Sequence, residues 1–131
     1  EHDTLKRIAG PTVTLRTDVT DEELPHLIAA SEAFIFAAYE DFGVAPVEAL
    51  AAGTPLIAYG AGGALDYVIP GKTGEFFADQ SPDALAAILA HFDRKTYEPR
   101  VIKQKASEFS PESFQRKIRS VISDSLPKLS K

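Results

Sequence analysis

The stretch AFIFAAYEDFGVAPVEALAAGTPLIAY, residues 33–59, decides the fold. Its opening, AFIFAA (33–38), is continuously apolar. A strand with one face in water would alternate apolar and polar residues, so this run predicts a parallel strand covered by helices on both faces. A helix is expected from about Val44 to Ala52, with Gly53 placed to end it. Residues 55–59, PLIAY, read as a further buried strand. Strand, helix and strand in immediate succession point to an α/β fold with a parallel sheet.

The flanks extend the pattern. Residues 3–9 carry Leu5 and Ile8 at helical spacing and stop at Gly10-Pro11. TVTLR (12–16) is rich in β-branched residues and reads as a short strand. A helix is expected from Thr20, because Thr20 and Glu23 have the spacing of a capping box, with Leu24, Leu27 and Ile28 as its apolar stripe. Downstream, residues 60–63 form a flexible glycine-rich turn and 64–68 a short helix. Residues 70–74 make another turn, and EFFA (75–78) a fourth strand. Ser81-Pro82 pairs an N-cap with a proline at the first helical position, and Leu85, Ile88, Leu89 and Phe92 follow on one face. A weaker helix covers about 99–109. Ser110-Pro111 opens the last one, with Phe114, Ile118, Val121 and Ile122 along one side. The expected architecture is a Rossmann-like three-layer α/β domain with a partial parallel sheet of about four strands and C-terminal helices.

Composition narrows the functional classes. The 131 residues suit one domain with a real core. There is no cysteine, which excludes disulfides and thiolate metal sites. His2, His26 and His91 are too scattered for a metal cluster. No apolar run approaches a membrane span, and no signal peptide is visible. The net charge of −5 argues against a nucleic-acid partner. It hides an asymmetry: residues 1–93 hold 4 Lys/Arg against 15 Asp/Glu, while 94–131 hold 10 against 4. The basic end reads as a solvated helical face or as a surface for something anionic, a membrane leaflet or an acidic partner.

Ligands of open α/β sheets bind beyond the C-terminal ends of the strands. Three such ends are offered, at 39–44, 60–64 and 78–80. The first is the most specific. Gly43 permits a tight turn and a close backbone approach. The helix starting near Val44 offers free N–H groups and the positive end of its dipole to an anion. Pro46 falls in the first turn, where its missing N–H is harmless. Glu48 lies one turn in, and Glu40 sits on the loop. Carboxylates accept paired hydrogen bonds from the hydroxyls of a ribose or hexose, and backbone N–H groups suit phosphates. From spacing alone, an equal reading is that Glu48 only complements the helix dipole and Glu40 is a solvated loop residue.

The run from Glu40-Asp41-Phe42-Gly43-Val44 through Glu48-Ala49-Leu50 to Gly53-Thr54-Pro55 resembles the E-x7-E signature of family 4 glycosyltransferases. These are retaining, metal-independent enzymes with two Rossmann-like domains, the GT-B fold. The likeness continues into Gly62-Gly63, Gly71-Lys72-Thr73-Gly74 and Phe76-Phe77. Residues 13–24 resemble the family's strand, turn and helix, with Thr17 where a glycine is common. The resemblance implies that Glu48 holds the ribose hydroxyls and that the backbone at Val44 and Ala45 meets the pyrophosphate. It implies that Glu40, with the backbone of Phe42 and Gly43, holds the transferred sugar, and that Glu40 is the catalytic residue. Asp41-Phe42-Gly43 together with residues 59–65 further resemble a subgroup that includes mannosyltransferases, which favours GDP-mannose over UDP-sugars. No cofactor is implied beyond the nucleotide-sugar substrate, and no metal.

Two motifs are decoys. Gly71-Lys72-Thr73 lacks the P-loop's first glycine, whose position is Asp66, and Gly60, Gly62 and Gly63 miss the dinucleotide fingerprint at Leu65. A glycoside hydrolase pair fits poorly, because a carboxylate at a helix N-terminus tends to stay ionised.

The resemblance implies that residues 1–131 are the C-terminal donor-binding part of a two-domain enzyme. The domain's first strands, with their Arg and Lys, and the acceptor-binding N-terminal domain would then lie outside the chain. The acceptor would be a glycan or a lipid-linked acceptor. The setting would be cytoplasmic, with peripheral contact at the inner face of the membrane. A sheet without its first strands also predicts self-association through an open edge. The other class of function is a non-catalytic nucleotide-sugar-binding or interaction module.

Overall fold

A computed structural model describes residues 2–129. Its sheet is parallel, with strands β1 (Phe34–Phe36), β2 (Leu56–Tyr59) and β3 (Gly74–Phe77) in chain order. Phe34 pairs with Leu56, and Leu56 with Gly74. The helices are α1 (His2–Ile8), α2 (Leu24–Ala30), α3 (Val44–Ala52), α4 (Ala64–Tyr67), α5 (Pro82–Leu89), α6 (Pro99–Ala106) and α7 (Pro111–Leu129), with 3-10 turns at Arg94–Thr96 and Ser107–Phe109.

The core forms where β2 meets α2, α3, α4 and α6. Ile28, Leu50, Leu56, Ala58, Tyr67 and Ile102 are buried there together. Side chains alternate along a strand, so Ile57 points to the opposite face of β2 from Leu56 and Ala58. It is fully buried too. The central strand is therefore covered on both sides, as its unbroken apolar run predicts.

β1 departs from that expectation. It is only three residues long, and Ile35 is 46% exposed between the half-buried Phe34 and Phe36. One face packs on the core. The other lies open, because β1 is the edge of the sheet and no described element covers it there.

The strand expected at 12–16 is absent, which leaves three strands rather than four. β-branched residues favour a strand only when a neighbouring strand receives them. Here Val13 is exposed and turns back through an N–H bond to the Gly10 carbonyl. Arg16 instead forms a two-pronged ion pair with Glu23, at 2.8 and 3.1 Å, and bonds Asp18 at 3.0 Å. That pairing also explains a shift in α2. The Glu23 N–H donates to the Thr20 hydroxyl at 3.2 Å, which is half of a capping box. The Glu23 carboxylate is held by Arg16, so the reciprocal half is not made, and the regular helix starts at Leu24. Arg16 holds the carboxyls of Glu23 and Asp18 below their usual range through these bonds.

The remaining elements follow their signals. Ser81 caps α5 by accepting from the Ala84 N–H, and Ser110 accepts from the Ser113 N–H at the start of α7. Tyr97 stacks on Phe92 and donates to the Glu75 carboxylate at 2.6 Å, tying β3 to the turn before α6. The predicted stripe of α7 exists, but Phe114, Ile118, Val121 and Ile122 are all exposed. No described element packs across it. Among the described residues, no helix is long and apolar enough to cross a membrane.

Candidate functional site

Helix α3 has one closed end and one open end. At its C-terminus Gly53 adopts the left-handed conformation, φ 88°, and its N–H bonds the carbonyls of Ala49 and Leu50. The Arg94 guanidinium donates to the Gly53 carbonyl at 3.1 Å and to the Tyr97 carbonyl at 2.8 Å. A cation thus meets the negative end of the helix dipole. At the N-terminus Gly43 has no side chain to offer, and no side chain caps the first turn. Val44 and Ala45 are exposed there, and among the described residues their N–H groups have no hydrogen-bond partner, the arrangement that receives anions.

The loop leading into α3 is clamped from two sides. The glycine turn after β2 lies directly against it: the Gly63 N–H donates to the Glu40 carbonyl at 2.8 Å. A Cβ on Gly62 would stand 2.4 Å from the Glu40 carbonyl oxygen, and one on Gly63 would stand 2.4 Å from that of Asp41. Only glycine allows this approach. The turn expected to be flexible is a fixed support. From the end of β3, the Gln80 amide donates to the Ala37 carbonyl at 2.8 Å. All three strand ends named from sequence therefore meet in one place.

Glu48 is exposed and lines two hollows. The first, of about 410 Å³, has its other walls on α2, on the turn before it and on α3 itself, with Asp21, Leu24, Pro25 and Ile28 beside Glu48. The second, of about 390 Å³, lies toward α6 and includes Lys103 and Phe109. A carboxylate beside an apolar wall suits a ligand with hydroxyls at one end and a flat apolar body at the other.

Beneath Gly43 lies Tyr67, which is fully buried. Its hydroxyl would stand 3.2 Å from a Cβ on Gly43. Its ring meets Phe42 edge-on at 6.5 Å and Phe109 at 6.0 Å, and Phe42 meets Phe109 at 5.7 Å. Burial pushes the Tyr67 phenol up to about 12, and the charges of Glu40 and Asp66 add to the effect. Thr73 holds the other end of α4: its hydroxyl donates to the Tyr67 carbonyl at 3.0 Å and accepts from the Ile69 N–H at 2.7 Å. The threonine of the apparent P-loop thus closes a turn.

The sequence-derived residues occupy distinct positions around the α3 N-terminus. Glu40 belongs to the clamped loop and is exposed, Phe42 covers Tyr67, and Gly43 is buried with φ 79°. Val44 and Ala45 open the helix and are exposed, and Glu48 faces the α2 wall. Sequence reasoning missed Asp21, Leu24 and Pro25 as neighbours of Glu48, Gln80 as a brace, and Tyr67. The apolar Leu24 and Ile28 read only as a helix stripe, and Tyr67 only as part of a short helix at 64–68. Among the described residues no three His, Cys, Asp or Glu side chains group closely enough to hold a metal ion.

The profile of the family described as "Glycosyl transferases group 1" matches residues 2–109. The D-inositol 3-phosphate glycosyltransferase of Streptomyces avermitilis is 36% identical over 81 residues, 61% of this chain and 18% of that protein. The GDP-Man:Man(3)GlcNAc(2)-PP-Dol alpha-1,2-mannosyltransferase of Xenopus laevis is 36% identical over 115 residues, 81% of this chain and 24% of that protein. Among solved structures, sucrose-phosphate synthase from Thermosynechococcus elongatus superposes with a TM-score of 0.76 at 26% identity, covering 97% of this chain and 34% of that one. The chain therefore spans about a fifth to a quarter of the curated relatives' length.

Proposed function

We propose that this chain, which belongs to the group 1 glycosyl transferases, forms the donor-binding part of a retaining, metal-independent hexosyltransferase. The observation that carries the reading is the asymmetry of α3. Its C-terminus is satisfied by Gly53 and Arg94, while its N-terminus is left open beside two exposed carboxylates.

Each group then has a task set by its chemistry. Glu48 accepts hydrogen bonds from the ribose hydroxyls, with the base against Leu24 and Pro25. The N–H groups of Val44 and Ala45 hold the diphosphate. This group takes up negative charge as the sugar departs, and fixed dipoles stabilise that charge without reorganising. Glu40 and the backbone of Phe42 and Gly43 hold the sugar. Glu40 is the residue proposed to act on the reacting centre. The names of the relatives include a GDP-Man-dependent mannosyltransferase, which supports a hexose donor and favours mannose. The acceptor is a glycan or a lipid-linked acceptor bound by a second domain, and that domain and the cations facing the diphosphate belong to chain outside these residues.

The test is product analysis with the complete protein carrying these residues, offered UDP- and GDP-sugars and lipid-linked acceptors. Transfer with retained anomeric configuration and undiminished by a chelator supports the reading. Donor binding without transfer would make the chain a non-catalytic binding module. No binding of any nucleotide-sugar would overturn the donor site.

A further inference from the structure

The Tyr67 hydroxyl is the buried side-chain polar atom without a hydrogen-bond partner among the described residues. Buried phenols normally find a partner. A phenylalanine would fill the same space without burying an unpaired hydroxyl. The ring is held by Phe42 and Phe109, and the backbone by Thr73. The hydroxyl is thereby fixed against Gly43 rather than free to seek water.

The peptide between Phe42 and Gly43 is equally unengaged. Among the described residues neither the Phe42 carbonyl nor the Gly43 N–H takes part in a hydrogen bond. The Gly43 carbonyl, by contrast, is in place to accept the first bond of α3. Gly43 has φ 79°, and a glycine can change the sign of φ at little steric cost. The Phe42–Gly43 peptide plane can therefore turn without disturbing the helix. Its carbonyl and N–H point in opposite directions, so drawing the carbonyl inward turns the N–H outward.

We propose that Tyr67 is a positioning residue for the donor: its hydroxyl donates to the Phe42 carbonyl when a nucleotide-sugar occupies the site, which turns the Gly43 N–H onto an oxygen of the bound ligand. This rests on the donor-site reading above. It assigns Tyr67 no contact with the ligand.

The variant is Tyr67→Phe in the complete protein, titrated calorimetrically with UDP-glucose and GDP-mannose. Affinity for the bound donor falls about tenfold, the worth of one hydrogen bond. Thermal stability without ligand stays level or rises, because an unpaired hydroxyl has been removed. Equal donor affinity in variant and parent would overturn the inference alone, as would a loss of unliganded stability that accounts for the weaker binding. Failure of the unaltered protein to bind either donor would overturn the donor site and this inference with it. A second measurement needs no variant. Labelling with 13C-phenylalanine and 15N-glycine limits the spectrum to Phe-Gly peptides, of which Phe42–Gly43 is the one within these residues, and its loss from the spectrum of Phe42→Leu assigns it. Its resonance should shift on donor binding, and an unmoved resonance in the bound protein would overturn the proposal.

Discussion

The Gly63 N–H bonds the Glu40 carbonyl at 2.8 Å, joining the loop after β2 to the loop after β1. This contact sets where Glu40 stands relative to the start of α3. It exists because neither Gly62 nor Gly63 has a side chain to hold the two backbones apart.

Gly63→Ala should therefore displace the Glu40–Gly43 loop. The added Cβ would meet the Asp41 carbonyl oxygen at 2.4 Å and the Phe42 Cα at 2.7 Å, and backbone cannot rotate away as a side-chain end can. We expect a stability loss of about 1–3 kcal/mol and a large loss of donor binding. Thermal melts and donor titration check both.

Glu40 and Glu48 should separate by function. Both are exposed, so Glu40→Ala and Glu48→Ala should each change stability by no more than about 0.5 kcal/mol. Glu48→Ala should weaken nucleotide binding about tenfold or more. Glu40→Ala should leave nucleotide affinity near its starting value and reduce transfer. Titration with the nucleoside diphosphate, alongside turnover in the complete protein, separates the two.

Thr73→Val should be costly despite near-identical shape. Thr73 is fully buried, and its hydroxyl serves both the Tyr67 carbonyl and the Ile69 N–H. Both would be left unpaired, costing about 1–3 kcal/mol. Denaturant unfolding measures the loss.

Tyr67 should make the fold sensitive to alkali. Its phenol ordinarily ionises near 10.0 and is pushed up to about 12 by burial, with Glu40 and Asp66 adding to the shift. A folded value above the unfolded one means that this contribution is fully present below about pH 10 and declines as pH rises toward 12. Stability measured at pH 8, 10 and 11 should fall more steeply in the unaltered protein than in Tyr67→Phe. Parallel curves would contradict the shift.

The sequence by itself determined the elements whose signals are local. The apolar run of β2, the Gly43 start and Gly53 stop of α3, and the Ser-Pro openings of α5 and α7 all depend on residues within a turn or two. These signals also singled out the Glu40–Glu48 stretch as a ligand loop. The resemblance to a glycosyltransferase family rested on the same stretch, and the family match agrees with it. What the loop rests on was decided only by the tertiary structure. Gly63 against Glu40, Gln80 against Ala37, Arg94 on Gly53 and Tyr67 beneath Gly43 join residues far apart in sequence. No periodicity encodes such pairs, because they depend on which strand ends lie side by side. The strand expected at 12–16 failed for the same reason. β-propensity states what a segment could pair with, and only the folded chain supplies a partner. Arg16 had carboxylates within reach, and Val13 had no neighbouring strand.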